Sequence, residues 1–262
     1  VIKRVLLFVP TIIFASVLIF LLMRLIPGDP ALLRLLGDTG ATEWTQEDLD
    51  RERQRLGTDK WLPIQYVVWA GGMLKGDFGE SMFYDTPVAE DLKDRLPVTV
   101  ELTILGIGLA ILLSVPLGVL SAVKQDTWID YVSRLFTITG IALPTFLTGI
   151  LIVYFLSVIF NWTSPLNYQM IWEEPWTNMK QMFLPAIALG LYDTCFIARV
   201  TRSAVLEVFR EDYIRTARSK GLAERLVIYR HALKNAFLPV ITVVGWQFGR
   251  VLSGTVIIEN IF

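Results

Sequence analysis

Cysteine and histidine are nearly absent from this chain: 262 residues contain one of each, Cys195 and His231. A single cysteine excludes an internal disulfide, and with one histidine a protein-only metal site lacks its usual ligands. No G-x-x-x-x-G-K-[ST] stretch occurs, so the chain has no phosphate-cradling loop of its own for a nucleotide. Charge is missing from long tracts. Residues 5–23, 102–123 and 135–160 contain none, 182–198 contain only Asp193, and 236–258 contain only Arg250.

A helix needs about 20 mostly apolar residues to cross the hydrocarbon core of a bilayer, and most of these tracts reach that length. Hydrophobic residues make up 53% of the chain and the mean hydropathy is +0.52. The sequence therefore predicts an all-α polytopic membrane protein with five spans. Lys3 and Arg4 precede the first tract, as in a signal peptide. Its apolar run is longer than the usual core of roughly 7–15 residues, and no small-x-small cleavage site follows. LIPGDP at 25–30 turns the chain instead, so an uncleaved first span is the better reading.

Charge in the connections gives the sidedness. The 27–97 segment carries fourteen acidic and eight basic residues, and 161–181 carries Glu173 and Glu174 against Lys180. The 124–134 turn is balanced, whereas 199–235 holds nine Lys or Arg against four acids. Lys and Arg in short loops mark the cytoplasmic side. Lys3 and Arg4, the 124–134 turn and 199–235 are thus expected inside, with 27–97 and 161–181 outside. Residues 1–97 then form the first span plus an extracytoplasmic insert. In that insert Thr45 and Asp48 have capping-box spacing, predicting a polar helix to about Leu56 that stops at Gly57. A second helix over 64–74 is expected to bury Tyr66, Val67 and Trp69. The insert serves either as a cap on the bundle or as a docking surface for a soluble partner.

The stretch 205–239 is basic and helix-forming, unlike the tracts on either side. Residues 205–220 read as a helix leaving the membrane, with Gly221 as a left-handed cap. A second helix is expected from Leu222 toward Pro239, with Leu222, Leu226, Tyr229, Leu233 and Ala236 as its apolar stripe. Glu224, His231, Lys234 and Asn235 point away from that stripe. An interfacial helix among headgroups is one reading; the break at Gly221, which lifts a helix end off the surface, speaks for another.

RTARSKG at 215–221 with the later Leu238 and Pro239 resembles the cytoplasmic EAA loop of permeases in binding-protein-dependent ABC importers. The match rests on Ala217, Gly221 and the Leu-Pro pair; Arg215 and Thr216 stand where the general pattern has Glu and Ala. The interval from Gly221 to Leu238 is longer than in sugar permeases and is similar to the dipeptide/oligopeptide branch. LIPGDP at 25–30, KGDFGES at 75–81, ARVTR at 198–202 and ENIF at 259–262 resemble that branch in order. The resemblance implies a type I importer transmembrane domain over 98–262, with five of six spans present and the C-terminal part missing. The end at ENIF and the start without Met agree with a piece of a longer protein.

The resemblance further implies an inner-membrane subunit of a prokaryote. Its partners would be a second permease subunit, two ABC ATPases, an extracytoplasmic binding protein and the lipid bilayer, with no nucleic acid. ATP and Mg would be held by the ATPases, so this chain would have no cofactor and no catalytic residue. Arg215, Ala217, Lys220, Gly221, Leu222, Glu224, Arg225, His231, Leu238 and Pro239 would form the ATPase-coupling loop. Di- or oligopeptides would be the cargo, with nickel, glutathione or sugar as alternatives within the family. A secondary transporter is the rival from another class, but such proteins place acidic or histidine relays in the bilayer. Here only Asp193 and Arg250 lie deep in the spans; they either pair or face the aqueous path separately.

Overall fold

In a computed structural model the described residues are 2–38, 44–81, 86–163, 165 and 168–262. The side chain of Arg4 and parts of the 27–97 and 161–181 connections lie outside them. Among the described residues the regular structure is helical, with one isolated bridge between Glu80 and Pro87. The chain packs as two units, Val1–Arg95 and Leu96–Phe262.

The first unit holds α1 (Ile2–Leu25), α2 (Pro30–Asp38), α3 (Gln46–Leu56) and α4 (Leu62–Leu74). Asp29 starts α2: its Oδ1 accepts from the Ala31 amide at 3.0 Å, and Pro30 fills the first turn, where no amide donor is needed. Arg53 of α3 donates to Asp29 Oδ2 through Nε and Nη2, at 2.8 and 2.7 Å. Burial alone would raise the Asp29 carboxyl's pKa; the Arg53 hydrogen bond and two backbone amides outweigh it and hold the group below its ordinary value. Thr45 and Asp48 form the expected capping box, and α3 ends at Gly57 in the left-handed region, φ 65°. α4 departs from expectation. Tyr66 and Trp69 pack on Phe20 of α1, with ring centroids at 5.6 and 5.7 Å, but Val67 is exposed. Its neighbour Gln65 is buried instead, donating to the Thr58 and Lys60 carbonyls.

α5 (Val88–Val123) begins in the first unit and from Leu96 on belongs to the second, which is built around it with α6 (Trp128–Ala142), α7 (Thr145–Phe160) and α8 (Pro175–Phe209). Then come α9 (Asp212–Ser219), α10 (Glu224–Leu226), a π-helical stretch (Val227–Ala232), α11 (Leu233–Gly254) and α12 (Val256–Ile261). α10, the π stretch and α11 run on as one helix. α8 is the central element. Along it the buried side chains change from Met182 and Leu189 against Leu102, through Ile197 against Ala110 and Val240, to Val205 against Ala122 and Ala236. Small residues let α5 and α8 come close: a Cβ at Gly190 would lie 2.7 Å from the Gly106 carbonyl oxygen.

Among the described residues four helices are long and apolar enough to cross a membrane: α1, α5, α8 and the 224–254 helix. α6 and α7 make a fifth span if the pair, bent by 100°, is counted as one broken crossing. The span expected over 135–160 is thus present as a bent pair of helices that starts earlier, at Trp128. Leu143 is extended at φ −81°, ψ 122°, because the ring of Pro144 disfavours helical backbone in the residue before it. The second helix is longer than its apolar tract suggested. It starts at Val88 and passes through Pro97, because Glu90, Leu92, Lys93 and Arg95 are good helix formers and the acids Glu90 and Asp91 sit favourably in the first turn.

Candidate functional site

The basic segment folds into a small helical knob with its own core. α8 ends at Phe209 and the chain turns at Arg210 and Glu211 before α9, so the continuous 205–220 helix expected from the sequence is broken there. The reason is Ile214 and Ala217. By folding back, α9 buries them against Val227 and Ala232, with Val208, Phe209 and Leu222 at the edges. Gly221 adopts φ +73°, the left-handed conformation expected of it, directly after the Lys220 C-cap. Across this turn Arg218 donates to both carboxylate oxygens of Glu224, at 3.2 and 2.6 Å. That hydrogen-bonded pairing raises the Arg218 guanidinium above its ordinary pKa, against the opposing effect of burial. Asn235 closes the other side by donating to the Tyr213 hydroxyl at 2.6 Å.

The apolar stripe expected on the second helix is displaced. Leu226 and Tyr229 are exposed; Val227, Ile228, Ala232, Ala236 and Val240 are buried. Over Val227–Ala232 the backbone bonds in π-helical fashion, i to i+5, which fits an additional residue into the turn. Of the expected stripe Ala236 is buried and Leu222 and Leu233 are half-buried against the cores, so the change of register turns Leu226 and Tyr229 outward. The helix also continues through Leu238 and Pro239, both exposed, to Gly254. Arg215, Lys220, Glu224 and Arg225 are exposed on the knob, Leu222 and His231 are half-buried, and Ala217 belongs to its core.

Deeper in the bundle the two isolated charges meet. Arg250 Nη2 of α11 donates to Asp193 Oδ1 of α8 at 2.7 Å. The same guanidinium donates through Nε to Gln247 Oε1 at 2.7 Å and lies over the Tyr192 ring, 4.7 Å from its centroid. Asp193 is fully buried while 35% of the Arg250 side chain is accessible. Asp193 Oδ2 and Gln247 Nε2 are buried with no hydrogen-bond partner.

Comparison with known proteins identifies the family. Residues 114–262 match the family model described as binding-protein-dependent transport system inner membrane component, and residues 1–103 match the N-terminal model of the same system. The chain belongs to this family. It is the permease of a binding-protein-dependent ABC importer, a multi-pass inner-membrane protein. A protein named as a peptide transport system permease in Brucella suis is 37% identical over all 262 residues, which cover 82% of its length. A glutathione transport system permease of Salmonella typhi is 37% identical over the whole chain and 81% of its own length.

One ion pair in the permease escaped the sequence reading. Asp130, at the start of α6, is completely buried. Arg202 of α8 grips it with Nε on Oδ1 and Nη2 on Oδ2, both at 2.7 Å. Ser121 of α5 donates to Oδ1 at 2.6 Å and the Asp126 amide to Oδ2 at 3.1 Å. One carboxylate thus fastens α5, α6 and α8. The only sequence signal was Arg202 inside the ARVTR motif; Asp130 lay in a turn whose charges balance.

Proposed function

We propose that this permease forms part of an ATP-driven import path for di- or oligopeptides, and that the 210–239 knob docks on an ATPase subunit. The observation that carries the docking reading is the knob's own core: Ile214, Ala217, Val227 and Ala232 brace it from within. Such a body can pass a push to α8 and α11 without deforming. Its polar face, with Arg215, Lys220 and Arg225, suits a soluble protein, and its basic charge favours the cytoplasmic side. Hydrolysis of ATP would then reside in that partner, and a second permease subunit would complete the path. Peptide cargo rests on the names of the relatives; glutathione, itself a small peptide, is the near alternative.

The test uses Gly221 in the assembled transporter, reconstituted in vesicles with its binding protein. A Cβ at Gly221 meets nothing within 4 Å, so a substitution acts through the backbone alone. Asn tolerates the left-handed conformation and a β-branched residue does not. Gly221→Asn should keep most cargo-stimulated ATP hydrolysis; Gly221→Val should lose it while still inserting in the membrane. Arg225→Glu should weaken ATPase retention. Unchanged transport in Gly221→Val and Arg225→Glu would remove the knob from coupling, and uptake competition between dipeptides, glutathione and nickel would identify the cargo.

A further inference from the structure

Next to the Asp130 clamp lies a cavity of about 250 Å³ between α5, α6 and α8. Its lining includes Ser121, Arg134, Arg199 and Arg202, with Leu117 and Ile138 supplying apolar wall. Three guanidinium groups thus line a space beside the Asp130 carboxylate, with Asp126 also near enough to act on Arg202. That carboxylate is already saturated: its two oxygens accept from Ser121, the Asp126 amide and both donors of Arg202. Arg134 Nε approaches Asp130 Oδ2 only to 3.6 Å, and this buried nitrogen has no hydrogen-bond partner. Arg199 rests on the Phe196 ring at 5.6 Å, and among the described residues no anion pairs with it. Arg134, which also lies over the Tyr131 ring at 4.5 Å, and Arg199 therefore stand at the cavity wall with no carboxylate hydrogen-bonded to them among the described residues.

The surroundings indicate what neutralises them. Trp128 and Tyr131, one to two turns before Arg134 on α6, are exposed, as are Leu135, the next residue, and Ile138, one turn after it. Exposed aromatic rings followed by exposed aliphatic side chains are the pattern of a helix entering a bilayer through its headgroup layer. We propose that this cavity is a binding site for the phosphate of an anionic phospholipid. Arg134 and Arg199 hold the phosphate, the Ser203 hydroxyl at the cavity wall donates to it, and the acyl chains follow Leu117 and Ile138 outward. Arg202 stays with Asp130 and fixes the wall. Basic recesses between membrane helices are suited to anionic headgroups, each arginine contributing about fivefold in affinity.

The assembled transporter, delipidated in a neutral detergent, tests this by native mass spectrometry and thermal shift. The titrants are short-chain phosphatidylglycerol, short-chain phosphatidylcholine and inorganic phosphate. Phosphatidylglycerol should bind and raise the melting temperature, with phosphatidylcholine and free phosphate much weaker. Arg134→Gln/Arg199→Gln should bind phosphatidylglycerol about 30-fold more weakly, by about fivefold per arginine. Arg134→Lys/Arg199→Lys should recover much of that loss. Ile138→Trp, which keeps every charge and blocks the apolar wall, serves if the double variant does not assemble; it too should bind less lipid. Equal responses to inorganic phosphate and phosphatidylglycerol would overturn the lipid assignment in favour of a free anion. Undiminished phosphatidylglycerol binding in the glutamine variant, or in Ile138→Trp, would overturn the site itself.

Discussion

Deleting one member of the Asp193–Arg250 pair should not cost the same as deleting the other. Arg250→Met removes the one hydrogen-bond donor to Asp193, whose second oxygen already lacks a partner and which has no access to solvent. An uncompensated buried charge of this kind costs roughly 3–5 kcal/mol. Asp193→Ala leaves Arg250 in an easier position. Its guanidinium keeps Gln247 and the Tyr192 ring, and 35% of the side chain reaches solvent. A charge-assisted hydrogen bond is worth about 1.5–3 kcal/mol, and exposure reduces it, so about 1–2 kcal/mol is expected here. The double variant removes both charges and should be less damaged than Arg250→Met alone, with a coupling of about 2 kcal/mol or more. In a unit of this size 1 kcal/mol moves the melting temperature by about 2–4 °C. The assay is thermal unfolding of the detergent-solubilised transporter for the wild type, both single variants and the double. The expected order of loss is Arg250→Met, then the double, then Asp193→Ala. Equal and additive losses would refute the pairing argument. Each charge would then be assigned to the aqueous path on its own, in contact with cargo.

Two further changes probe the rest of the frame. Gly190→Ala would put a Cβ against the Gly106 carbonyl oxygen, a backbone atom that cannot rotate away, and should lower yield and melting temperature by the equivalent of about 1–3 kcal/mol. Gly249→Ala, with nothing within 4 Å of its Cβ, is the control and should be neutral or slightly stabilising. In the insert, the Asp29 carboxyl is held below its ordinary pKa, so its pairing with Arg53 is stabilising above the unfolded carboxyl's pKa of about 3.9 and is lost as pH falls through the lower folded value. Hydrogen exchange of the α3 amides should accelerate below about pH 4 in the wild type. In Asp29→Asn it should be fast already at neutral pH; identical pH profiles would exclude the Asp29–Arg53 contact as the cause.

The spans were legible because the bilayer leaves the backbone few options: an uncharged tract of this length must satisfy its own amides, and a helix does so. Where those helices bend was not. Proline marks the break before α7, yet Pro10, Pro97, Pro116, Pro185 and Pro239 all lie inside continuous helices. The outcome at Pro144 goes with tertiary packing. α6 presents Ser133, Thr137 and Gly140 as its buried face, while α7 turns Gly149 toward Ile258 and Phe262. Local sequence holds no record of that second set of contacts. The same limit explains the displaced stripe after Gly221. The alternation of Leu226, Tyr229 and Leu233 suits an ordinary helix, and only the burial of Val227 and Ala232 against Ile214 and Ala217 reveals the π-helical register.

The two ion pairs show which charges a sequence can match. Asp193 and Arg250 are alone in tracts otherwise free of charge, so each had one candidate partner and the cost of leaving either unpaired was high. Asp130 had many candidates: Lys124, Arg134 and the nine basic residues of 199–235. Counted as part of a balanced turn, it looked like an ordinary solvated carboxylate. Its selection of Arg202 follows from α5, α6 and α8 closing over Ser121 and the Asp126 amide, which excludes water from the carboxylate and admits one guanidinium in bidentate geometry. Pairing in the apolar tracts is fixed by scarcity and can be inferred before folding is known. Pairing at the ends of the helices is fixed by shape, and it is there that Arg134 and Arg199 are left without a carboxylate of their own.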